Sequence, residues 1–199
     1  VRFTKAQLES FRDTEIDDLA GPGMRLLFVG INPGLWTAAT GAHFAHPGNR
    51  FYPALFAAGI TDHLIRAADG MSATDREYLI REGIGISNLV HRATARADEL
   101  TLPELRAGGE RLIETVQRLA PSVVAMVGIT SYRAAFGRRT ARQGRQDETL
   151  GGAELWVLPN PSGLNAHDTI DSLACAYRGP ARAAGMALGS EPMTEPMTP

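Results

Sequence analysis

The 199-residue sequence contains one cysteine, Cys175, and one lysine, Lys5. A single cysteine excludes an internal disulfide framework and any four-cysteine zinc or iron–sulfur site. The five histidines, His43, His46, His63, His91 and His167, include no i, i+4 pair of the kind that holds zinc on a helix. The longest apolar runs, such as Pro121–Gly128, fall far short of the roughly 20 residues that a membrane span needs. No basic segment followed by an apolar stretch opens the chain, so it does not read as a secreted protein. A cytoplasmic location is expected, nucleoid-associated if the source is prokaryotic. With 44% hydrophobic and 21% charged residues, the composition is that of a folded domain. Glu191 onward repeats a Glu-Pro-Met-Thr unit, and residues 187–199 read as a disordered tail. Residues 1–20 read as a helical extension and 21–186 as the main domain.

The formal net charge is −2, but its distribution matters more than its sum. Residues 1–20 carry more acids than bases, while residues 21–185 are weakly basic. Five arginines, Arg133, Arg138, Arg139, Arg142 and Arg145, occupy an acid-free stretch from Gly128 to Gln146. That stretch is either a phosphate-facing surface or a solvated loop, and charge alone favours the loop.

Short apolar runs at Met24–Val29, Ile84–Val90, Ser122–Val127 and Glu154–Leu158 read as strands. Helix-length segments lie between them. The clearest covers Leu102–Leu119, opened by Thr101 and Glu104 at capping-box spacing and striped with Leu105, Leu112, Val116 and Leu119. Residues 5–19 and 72–82 are further helices. Asn49 is expected to cap a helix over Arg50–Ala58, and Asp168 one over Thr169–Ala184. Apolar strands alternating with helices imply a mainly parallel sheet covered on both faces. Chemistry is then expected in the loops beyond the carboxyl ends of the strands, after Val29, Val90 and Leu158.

The first of these loops, Gly30-Ile31-Asn32-Pro33-Gly34, lacks the lysine and hydroxyl residue of a phosphate-binding P-loop. Taken alone it reads first as an Asx turn closed by Asn32, and only second as a loop that leaves amides free near a ligand. The last, Pro159-Asn160-Pro161-Ser162-Gly163-Leu164-Asn165, places an apolar leucine in polar surroundings, either as a wedge for a base stack or tucked onto the core.

Three motifs in order, GINPG (30–34), FAHPGNRF (44–51) and NPSGL (160–164), resemble the mismatch-specific uracil-DNA glycosylase and thymine-DNA glycosylase family. The resemblance spans about Gly23 to Tyr177. It implies a three-layer αβα sandwich with a short, mostly parallel central sheet, and an enzyme that flips a mispaired base from duplex DNA and hydrolyses its N-glycosidic bond. It also implies that Asn32 positions the attacking water, and that Phe44 stacks on the flipped base. Ile31 and Phe44 would contact the base edge through their backbone. Gly163, Leu164 and Asn165 would fill the vacated stack and meet the widowed guanine, with Ser162 on a phosphate. The wedge's contact with the guanine implies a preference for G·U over A·U, and Asn32 and Asn160 stand where faster uracil-DNA glycosylases carry aspartate and histidine, so slow turnover is expected.

Two further residues belong to the expected site. Asn88, at the end of the second strand, lines the pocket or is simply a buried strand asparagine. Asp98 either assists the water and the sugar cation or caps a surface helix. His46 reads as a scaffold residue, and Glu110 with Glu114 as a solvated face. No metal or cofactor is implied. Lyase chemistry needs an amine nucleophile and is not expected, because Lys5 sits near the N-terminus. A monomer acting on mispaired double-stranded DNA is the expected arrangement, with breadth toward other damaged pyrimidines left open. The alternative is a catalytically idle module that recognises mismatches by flipping and wedging.

Overall fold

The structure is a computed structural model, and it describes residues 2–189. Most of the expected tail, residues 190–199, therefore lies outside the described residues. Five strands form one sheet: β1 (Leu26–Gly30), β2 (Ile84–Asn88), β3 (Val123–Val127), β4 (Gly144–Leu150) and β5 (Ala153–Leu158), in the order β2-β1-β3-β5-β4. All pairings are parallel except β4 with β5. Among the described residues, seven helices accompany them: α1 (Lys5–Glu9), α2 (Leu35–Thr40), α3 (Phe51–Ala57), α4 (Ala73–Arg81), α5 (Leu102–Leu119), α6 (Ile129–Phe136) and α7 (Ile170–Ala183).

The side-chain alternation of β1 shows why its run is apolar throughout. Leu26 and Phe28 pack on one face with Phe51, Leu55, Leu173 and Tyr177, from α3 and α7. Leu27 and Val29 pack on the other with Leu112, Val116 and Tyr132, from α5 and α6. The central strands β1 and β3, and β2 beside them, are buried on both sides, so an αβα sandwich results. Because β1, β2, β3 and β5 run parallel, their carboxyl ends meet at one edge. That brings the segments after Gly30, Asn88, Val127 and Leu158 together.

Helix α5 keeps the boundaries and the Thr101–Glu104 capping box read from the sequence. Residues 5–19 do not. Helix α1 ends at Glu9, and the chain then runs along the open edge of β2, where Leu19 exchanges both backbone hydrogen bonds with Ile86. Unpaired backbone groups of an edge strand recruit this segment in preference to helix. The caps also differ. Arg50 and Thr169 occupy the N-cap positions of α3 and α7, while Asn49 accepts from the Phe51 amide one residue earlier. Asp168 instead binds Ser172 and Asn165.

Strand β4, helix α2 and helix α6 were not anticipated. The β4–β5 hairpin turns on Gly151 and Gly152, both at positive φ, as a two-residue primed turn requires. It also disposes of much of the arginine stretch: Arg138 pairs with Glu148, Arg145 with Glu154, and Arg133 binds the Ala141 carbonyl. Acids from the hairpin neutralise bases that look unopposed in the linear sequence.

Candidate active site

The gathered loops enclose a cleft of about 920 Å³. Asn32 lies in its wall, and a hydrogen-bond network fixes the direction of its amide. Asn32 Nδ2 shares its two hydrogens among three acceptors, Thr94 Oγ1 at 2.8 Å, the Arg92 carbonyl at 3.0 Å and the Pro33 carbonyl at 3.1 Å. The Thr94 hydroxyl spends its own hydrogen on the Arg96 carbonyl at 2.8 Å, so toward Asn32 it can only accept. All three partners are acceptors, which forces the nitrogen inward. Asn32 Oδ1 has no partner among the described residues and remains within reach of solvent. Asn32 therefore does more than close its own turn. It presents a fixed acceptor to the cleft.

Phe44 forms part of the same wall. It adopts φ +54° and stacks on Phe51, with ring centroids 4.0 Å apart and an interplanar angle of 22°. Gly30 explains how the floor closes. A Cβ there would lie 2.7 Å from Asn88 Oδ1 and 3.2 Å from Phe44 Cζ, so the absent side chain is what lets them approach. Ile31 and Val127 add apolar wall. Among the described residues, no group accepts from the amides of Ile31 or Phe44.

Asn88 is buried and also lines the cleft. Its Nδ2 lies 3.2 Å from His43 Nδ1, and His43 Nε2 lies 3.0 Å from the Asp17 carbonyl. Since a carbonyl only accepts, Nε2 carries the hydrogen and Nδ1 is the acceptor. Burial pushes the His43 imidazole down to about 4, keeping it neutral, against smaller opposing pulls from Asp17 and Asp18. Asn88 thus turns its nitrogen to His43 and its Oδ1 toward Gly30 and Phe44. Sequence reasoning missed His43 and Thr94, because nothing in a linear pattern says which amide each orients.

The last loop lines the opposite side. Asn160 Oδ1 accepts from the Ser162 amide at 3.0 Å, Ser162 Oγ accepts from the Leu164 amide at 3.3 Å, and the Asn165 amide donates to the Ser162 carbonyl at 2.9 Å. These turns lift Leu164 to 93% exposure. It is not tucked onto the core. The Asn165 side chain is spent within the loop, on Asn160, Asp168 and His167. Any contact it makes with a guanine must then come through backbone, its own or that of Gly163 and Leu164.

Asp98 is not brought to this cleft. It sits in a short 3-10 turn, Ala97–Glu99, exposed and bound by both ends of the Arg96 guanidinium, which holds its carboxyl below the usual range. Lys5 moves the other way. Together with Leu8 and Glu9 of α1 it lines the cleft, so the reason for discounting an amine at the site falls away. Among the described residues, no group of His, Cys, Asp and Glu is arranged to hold a metal ion.

The family model described as Uracil DNA glycosylase superfamily matches residues 18–180. The chain belongs to that superfamily. The fold is shared with a solution NMR structure from Methanosarcina acetivorans that carries a provisional uracil DNA glycosylase designation. It is 15% identical, covers 83% of this chain and 96% of its own, and has a TM-score of 0.55. Membership of the uracil DNA glycosylase superfamily supports DNA-repair glycosylase activity, a hydrolysis of an N-glycosyl bond with DNA as the partner.

Proposed function

We propose that this superfamily member removes uracil mispaired with guanine from duplex DNA, leaving an abasic site, in the manner of the mismatch-specific branch. The observation that carries the reading is the fixed Asn32 amide, whose free Oδ1 faces a cleft beside the Phe44 platform. An amide oxygen accepts a hydrogen bond from water and aims the water's lone pair, but it is no base. Bond breaking must therefore run ahead of attack, giving an oxocarbenium-like sugar and a uracil anion. Amides of Ile31 and Phe44 are free to stabilise that anion without any titrating group. Water then closes on the anomeric carbon, and its proton leaves to the departing base or solvent.

Asn88 Oδ1 supplies the acceptor for the N3–H of the flipped uracil, and the spare Nδ2 of Asn160 a donor at the cleft edge. Leu164 enters the vacated stack, which favours the more easily opened G·U pair over A·U. Asp98 has no part in this reading, since Arg96 holds it at the surface. Residues 21–186 form the glycosylase domain, and the extension before them walls the cleft. We read the enzyme as a monomer.

A single-turnover assay on labelled duplexes carrying G·U, A·U or G·T, and on single-stranded uracil, tests this at low salt, where phosphate contacts are strongest. Cleavage of G·U well above A·U is expected, with Asn32→Ala losing roughly 10²–10⁴-fold. Equal cleavage of G·U and A·U would remove the mismatch preference. Tight binding of G·U without cleavage would favour the idle module.

A further inference from the structure

We propose that Arg50 is the positioning residue of the wedge, holding the Ser162–Asp168 loop in the shape that presents Leu164; this rests on the glycosylase reading above. Arg50 is the penultimate residue of the second motif, far in sequence from the loop it holds. Its Nη2 donates to the Ser162 carbonyl at 2.7 Å and to the Asn165 carbonyl at 2.6 Å, and its Nη1 donates to the Asp168 carbonyl. The Arg50 amide adds a bond to the Pro161 carbonyl at 3.0 Å. Three carbonyls spread along one loop are thus gathered on one planar fork, a geometry that lysine cannot reproduce. Gly163 is pressed equally close from the same motif: a Cβ on it would lie 2.7 Å from the Gly48 carbonyl.

The need for such a clamp follows from what the wedge does. Leu164 is almost wholly exposed, so no core contact fixes it. Opening a base step costs a few kcal/mol, and a loop that had to order itself during insertion would add its own entropy to that cost. Arg50 removes the second cost by ordering the loop beforehand. It also ties the wedge to the base platform, because the next residue, Phe51, is the ring on which Phe44 stacks. One short segment, 44–51, therefore sets both the pocket wall and the position of Leu164.

The test uses the full chain with Arg50→Ala, Arg50→Lys, Leu164→Ala and the Arg50→Ala/Leu164→Ala pair. Hydrogen exchange on the free protein is read first, since it needs no activity. Arg50→Ala is expected to speed exchange at the Leu164, Asn165 and His167 amides at least tenfold while β3 and β5 stay protected, and Arg50→Lys to do so less. Unchanged exchange in the loop overturns the clamp. Single-turnover cleavage follows. Arg50→Ala is expected to lose about as much on the G·U duplex as Leu164→Ala, the pair to lose no more than the worse single variant, and single-stranded uracil to be cleaved within about twofold of wild type. Losses that multiply in the pair, or that fall equally on single strands, would show that Arg50 acts on the fold or the pocket and not through the wedge. A wild-type chain that cleaves no uracil DNA would defeat the glycosylase reading, while the exchange result would still decide the clamp.

Discussion

Acidification should expose the buried His43, and the size of the effect follows from its surroundings. His43 stands between the Asp17 carbonyl and Asn88 Nδ2, with Asp18, Arg76 and His91 as the charged or titratable groups acting on it. Burial holds the imidazole at about 4 in the folded chain against an ordinary value of 6.5. The folded state therefore resists a proton that the unfolded state accepts. The stability associated with neutral His43 is intact above pH 6.5 and drains away as pH falls toward 4. At about 1.4 kcal/mol per pH unit the loss is about 3 kcal/mol. A glutamine can donate to Asp17 and accept from Asn88 without titrating, so His43→Gln should lack this loss. Urea unfolding of both proteins from pH 7.5 to 4 gives the difference directly, because the carboxylates common to both largely cancel. Wild type should lose about 3 kcal/mol relative to the variant across that window. Parallel curves would refute the assigned tautomer and the burial argument together. The same proton would convert His43 Nδ1 to a donor, forcing the Asn88 amide to turn and replacing the acceptor in the pocket floor.

Three other outcomes are expected. Leu164→Ala should leave the urea midpoint within about 0.5 kcal/mol of wild type, since the side chain is 93% exposed, yet lower duplex G·U cleavage at least tenfold. Thr94→Val removes the acceptor that turns Asn32 inward and should cost about 1 kcal/mol of stability. With one of its three acceptors gone and only the Arg92 and Pro33 carbonyls left, Asn32 is held less firmly, and single-turnover cleavage should slow tenfold or more with little change in duplex affinity; an unchanged rate would mean that the two carbonyls suffice to orient the amide. Borohydride added to a reaction on uracil duplex should trap no covalent complex, because the proposed nucleophile is water. An adduct that disappears in Lys5→Ala would show that the cleft amine attacks the sugar, and would overturn purely hydrolytic chemistry.

What the sequence determined by itself was whatever depends on local pattern. The four parallel strands, helix α5 with its Thr101–Glu104 box, and the loops after Gly30 and Leu158 were all legible, because periodicity, caps and Gly/Pro punctuation act within a few residues. The three motifs carried the resemblance, and the match over residues 18–180 shows the superfamily. The β4–β5 hairpin was legible in principle, since Gly151-Gly152 between two runs is a turn signal, but the charged, half-exposed pattern of β4 hid the strand. Tertiary structure alone decided the rest. The strip from Glu15 to Leu19 reads as helix in sequence, yet bridges to Arg92 and Ile86 along an open sheet edge claimed its backbone. Asp98 and Lys5 exchanged their expected places because distance along the chain says nothing of distance across a cleft. Which end of Asn32 or Asn88 faces the cleft is set by neighbours such as Thr94 and His43, residues brought alongside by the parallel register of β1 and β2 and by the loops around it. An amide has a donor end and an acceptor end of nearly equal shape, so only the partners around it in the folded chain select the one left free to act.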